Sequence, residues 1–148
     1  MIRIVLTLGA VLAWIFGAML LLAPGPFFAP MGIVMDEKVA TIAQNQGAAL
    51  ISIGLINFLC RGVTDATALR AVLLGNMVIQ LLSLGIVVRA LALGIFPPRG
   101  APALVIHVIL GTLFAVALRR VRMLEERTPR ASAGCRSSRS TFRALRRR

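Results

Sequence analysis

The sequence predicts an all-α integral membrane protein: four transmembrane helices in an antiparallel bundle, then a disordered basic C-terminal tail. Three observations predict it. Hydrophobic residues make up 58% of the chain and charged residues 15%, against about 45–50% and about 25% in ordinary soluble domains. Four uncharged apolar runs approach the roughly 20 residues that cross a bilayer as a helix. Positive charge is concentrated at one end: of 17 Lys and Arg, 11 are arginines at or beyond Arg119. The net charge of +12 therefore describes a tail, not a basic fold.

The first span is expected over residues 4–23, "IVLTLGAVLAWIFGAMLLLA". It is long for a signal-peptide core, and proline follows Ala23, a poor cleavage context, so it reads as a retained span. Prolines 24, 26 and 30 then stop the helix. The second span covers about 39–60, the third about 70–93 and the fourth about 101–118, with Pro102 suited to a first helical turn. Short linkers predict neighbouring antiparallel helices in one bundle. Residues 119–148, rich in arginine and serine, form the expected disordered tail.

Orientation follows from Lys and Arg in the short loops. Arg3, Arg61, Arg70 and the tail fall on one side, Lys38 and Arg99 on the other. Both termini are therefore expected in the cytoplasm, with a bacterial inner membrane as the default location. Cys60 and Cys135 then face a reducing compartment, and no structural disulfide is expected. Arg89 sits near the outer end of its helix, where snorkelling is its expected role.

Chemistry concentrates in a few polar residues inside the spans. Asn76, Gln80 and Ser83 are spaced four then three, on one face of the third span. Such a stripe serves either as hydrogen-bonding glue between helices or as a polar pocket for a ligand. His107 is the one histidine of the chain and lies about 5 Å from the middle of the fourth span at 1.5 Å per residue. An ionisable residue there is a functional candidate; a neutral imidazole bonded to a neighbouring amide is the plainer reading. Gln44, in the outer half of the second span, is expected to converge with Gln80 and His107. Thr41, Asn45 and Ser52 share another face of that span beside Ala48 and Ala49. Gly9, Ala13 and Gly17, with Gly47 and Gly54, read as packing notches within the bundle, or alternatively as a dimer face. The loop segment "FFAPMG" is apolar enough to cap the bundle or act as a lid on an outward pocket.

Several functions are disfavoured. One histidine and two cysteines without a CxxC pair cannot build a multi-ligand metal site or a paired-histidine haem site, and no metal is expected. No Asp or Glu lies inside a span, which argues against a carboxylate-based ion carrier. No Walker-type glycine loop and no serine–histidine–acid set is present. No catalytic residues are assigned, and enzymatic activity is not the expected role. In the tail, Arg119, Arg120 and Arg122 are expected to touch the membrane surface, where each nearby cation attracts anionic lipid by on the order of 1 kcal/mol. Nucleic acid is not an expected partner, since no folded basic module with stacking aromatics accompanies the charge.

The segments "APGPFFAPMG" and "QGAALISIGLINFLCRG", together with span number and spacing, resemble the small four-helix bacterial membrane proteins of the DoxX-like type. The resemblance covers residues 1–118 and carries no catalytic motif. It implies a link to quinone-dependent oxidation or to redox assemblies. Three functions stay open at this level. One is a non-catalytic protein that binds a membrane partner, or its own copies, and stabilises a complex. Another is a quinone-binding or redox-accessory protein using Gln80 and His107, the quinone being the one cofactor considered. The third is a small-solute permeation unit.

Overall fold

The computed structural model is all-helical and describes residues 1–145, with the side chains of residues 1–123. Four helices are long and apolar enough to cross a membrane. Helix α1 (Ile2–Leu22) is followed by a short helix α2 (Pro24–Phe28) and a 3-10 turn over Ala29–Met31. Then come α3 (Glu37–Cys60), α4 (Ala66–Ala92), a second 3-10 turn over Pro98–Gly100, and α5 (Pro102–Leu145).

Local chemistry sets these boundaries. At the end of α1 the Ala23 amide bonds to the Met19 carbonyl and the chain leaves helical φ. Pro24 then starts α2, where the missing N–H of proline matters least. Asp36 caps α3, its carboxylate accepting from the Val39 amide at 2.7 Å, and Asp65 caps α4 in the same way through Ala68 at 2.7 Å. These caps start both helices earlier than the apolar runs alone indicate. Gly94, at φ +68°, closes α4 while the Ile95 and Phe96 amides return to the Ala90 carbonyl.

The four long helices associate as two close pairs, α1 with α3 and α4 with α5. The first pair meets through the glycine notches. A Cβ on Gly47 would lie 2.7 Å from the Gly17 carbonyl oxygen, and one on Gly17 would lie 2.9 Å from that of Gly47. Backbone thus touches backbone, which only glycine permits. Further along, Trp14 fills the notch at Gly54, donates from Nε1 to the Ile51 carbonyl at 3.3 Å, and lies 5.3 Å from the Phe58 ring. Gly17 meets Gly47 and Gly9 meets Asn57, so the two sequences run past one another in opposite register.

The second pair supplies most of the hydrophobic core. Leu69 and Leu73 of α4 pack with Leu110, Phe114, Ala117, Leu118 and Val121 of α5, joined by Val5 and Leu6 of α1. This cluster fills the half of the bundle that carries the N-terminus of α1. The exposed surface is largely Leu, Ile and Val along α1, α4 and α5, as expected where lipid chains take the place of water.

One expectation needs correction. The helix of the fourth span does not stop at residue 118: it runs on, with Val121 buried at 2% exposure, and α5 extends to Leu145. Arg119, Arg120 and Arg122 therefore ride on a helix, not on a disordered tail. The side chains beyond Met123, Cys135 among them, lie outside the described residues. The shared face of α3 that carries Thr41, Asn45 and Ser52 is exposed along its length.

Candidate functional site

Beside the core cluster, the two helix pairs line a half-open cavity of about 220 Å³. Its deep end is walled by Gly9, Asn57, Asn76 and Leu110, and its other end reaches Leu20, Phe27 and Ala103. Ile53, Ile79 and Ile106 line its flanks from α3, α4 and α5. The volume exceeds the roughly 150 Å³ of an engineered apolar cavity that holds benzene. Phe27 of α2, in the segment expected to cap the bundle, lines the cavity and meets the Phe16 ring edge-on at 6.3 Å.

Two polar pairs interrupt this apolar wall. In the first, Asn57 and Asn76 exchange both amide hydrogen bonds, at 2.9 and 2.7 Å, and the Asn76 amide also donates to the Val72 carbonyl at 2.8 Å. Exposures of 1% and 7% leave neither amide to water. The arrangement ties α3 to α4 where those helices otherwise touch little. Asn76 is therefore helix–helix glue, one of the two roles its stripe allowed.

In the second pair, Nδ1 of His107 lies 2.7 Å from Oε1 of Gln80. An amide oxygen can only accept, so Nδ1 donates to it, and in the neutral imidazole this is the Nδ1–H tautomer. In that tautomer Nε2 of His107 has a lone pair to offer, and the Gln80 amide keeps its two N–H donors. Gly111 stands beside Gln80, where an added Cβ would be at 3.6 Å. Both members of the pair line the cavity. The site thus offers an acceptor and a donor side by side within a hydrocarbon wall.

The remaining sequence candidates fall elsewhere. Gln44 is exposed and outside the cavity, so the expected convergence holds for Gln80 and His107 only. It fails at Gln44 because the face of α3 turned inward is the glycine face, Ala43, Gly47, Gly54 and Asn57. Ser83 is half-buried beyond the lining. Arg122 borders a shallow surface groove with Thr67 and Arg70, while Arg119 and Arg120 are exposed. Asn57 was not among the sequence candidates. Its signal was present: it continues the inward positions 43, 47, 50 and 54 at alternating spacings of four and three.

Among the described residues no cluster of His, Cys, Asp or Glu could hold a metal ion. Compared with known proteins, the chain matches no family model, no curated protein and no solved structure.

Proposed function

We propose that this chain is an integral membrane protein, an antiparallel four-helix bundle with cytoplasmic termini, that binds a small apolar molecule bearing a hydroxyl group. The observation that carries the reading is the His107–Gln80 pair in the wall of an otherwise apolar cavity. A hydroxyl would donate to Nε2 of His107, and its oxygen would accept from the Gln80 amide. The hydrocarbon of the ligand would meet the isoleucine flanks. The protein serves as a holder of that molecule in the bilayer, with no covalent step required.

A quinol head group is the redox-active member of this ligand class, and the resemblance to DoxX-like proteins supports that member. The bacterial inner membrane stays the proposed location, on the charge distribution. The apolar wall supports binding over solute permeation, which calls for a polar path.

The test compares 4-propylphenol with propylbenzene, which share the hydrocarbon and differ in the hydroxyl. In detergent-purified protein the phenol is expected to bind about 10-fold tighter, the worth of one good hydrogen bond. His107→Leu should erase that preference while propylbenzene still binds. Equal affinities for the two probes in the parent protein would overturn the reading. Mass spectrometry of small molecules co-purifying with the parent would identify the natural occupant.

A further inference from the structure

Helix α3 has two unlike faces. Its inward face is buried against α1 and α4. Its outward face carries Thr41, Asn45, Ala48, Ala49 and Ser52, every one of them exposed. Asn45 lies three to four residues from the centre of Glu37–Cys60, which is about 5 Å at 1.5 Å per residue. In the membrane arrangement proposed above, that depth falls in hydrocarbon, where an unsatisfied polar group is expensive. No described residue hydrogen-bonds the Asn45 side chain.

The rest of the face is built for close approach. The Thr41 and Ser52 hydroxyls donate back to the Glu37 and Ala48 carbonyls at 2.8 and 3.0 Å, so neither needs an outside partner. The two alanines leave the ridge low. Ile56 and Leu59 continue it, both exposed, toward the far end of the helix.

We propose that this face of α3 docks against the same face of a second copy of the chain. Copies inserted with the same orientation are related by a two-fold axis along the membrane normal. Such an axis sets α3 beside α3 and brings Asn45 opposite its own copy. An amide is donor and acceptor at once, so two asparagines satisfy each other in a reciprocal pair. The chain already uses this pair internally, at Asn57 and Asn76. A second copy supplies both a donor and an acceptor at the same depth by symmetry.

The test uses the full chain carrying Cys60→Ser and Cys135→Ser, reconstituted in phosphatidylcholine–phosphatidylglycerol vesicles. Ala48→Cys is expected to form an intermolecular disulfide under mild oxidation, and Ile86→Cys, exposed on α4, is not. Energy transfer between labelled chains then measures association across protein-to-lipid ratios. Asn45→Leu should shift the midpoint roughly tenfold toward higher protein, on the strength of two interhelical hydrogen bonds. Asn45→Gln should recover part of the loss. Cross-linking at Ala48→Cys no faster than at Ile86→Cys would overturn the proposal. So would association of Asn45→Leu as tight as that of the parent. Should Asn45→Leu fail to fold, the cross-linking comparison decides alone.

Discussion

At the scale of single residues, the two polar pairs behave differently because they are satisfied differently. The Asn57–Asn76 pair is closed, each amide answering the other. Asn76→Leu would leave Asn57 buried without its partner, at a cost of about 1–3 kcal/mol. Asn57→Leu should cost about the same. The double variant removes both orphans, so it should be more stable than the sum of the singles implies. Denaturant titration of the four proteins in detergent measures the coupling; simple additivity would show that the amides do not act as a pair. The His107–Gln80 pair is open, with an acceptor and two donors left over, and that surplus is what makes it a candidate site. Spacing in the sequence brought out Asn76, Gln80 and His107 as polar positions inside spans. It could not show which amide each would meet, because the partner of Asn76 is a single asparagine on another helix.

At the scale of elements, glycine divides into two kinds. Gly47 faces the backbone of α1, and a Cβ there would press on the Gly17 carbonyl and the Leu21 amide, both at 2.7 Å. Neither atom belongs to a side chain that could swing away. Gly47→Ala should therefore destabilise by about 1–3 kcal/mol, the usual cost of overpacking. Gly75 and Gly85, on α4, have nothing within 4 Å. Alanine at either should be neutral or stabilising by up to about 1 kcal/mol, its helix-propensity advantage. Thermal midpoints in one detergent would order the three variants, and a Gly47→Ala protein as stable as the parent would contradict the close α1–α3 contact. The spans were legible because span length and apolarity are local properties of the chain. Their ends were shifted by caps such as Asp36 and Asp65, which lie outside the apolar runs. The run of Gln44, Asn45 and Gln46 gave no sign of which way it pointed; that was settled by the glycines opposite it, which bind α3 to α1 by shape.

At the scale of the whole molecule, the packing is uneven along the bundle axis. The half that holds Phe114 and Leu6 is filled, and the other half holds the cavity. Tight packing fixes the helices at one end, and the cavity lies toward the α1–α3 and α4–α5 connections. The sequence indicated four helices, but not that they would sort into two pairs, since pairing depends on which notches meet. That sorting has a consequence for how the protein is made. Each pair is contiguous along the chain, with the 61–65 connection as the joint between them. A ribosome delivers α1 and α3 complete before α4 emerges, so the first hairpin can lock on its glycines while the second is still being synthesised. The asparagine tie and the packing of Val5 and Leu6 of α1 on α4 and α5 need both halves, so they can form only once the second pair is present. A gene cut within residues 61–65, expressed as two fragments, should then give pieces that insert separately and reunite in the membrane. Co-purification of the second fragment with a tagged first one would show it, and Asn76→Leu should weaken the reunion. With that outcome, biosynthesis of this protein would amount to the assembly of a heterodimer whose subunits happen to share one polypeptide.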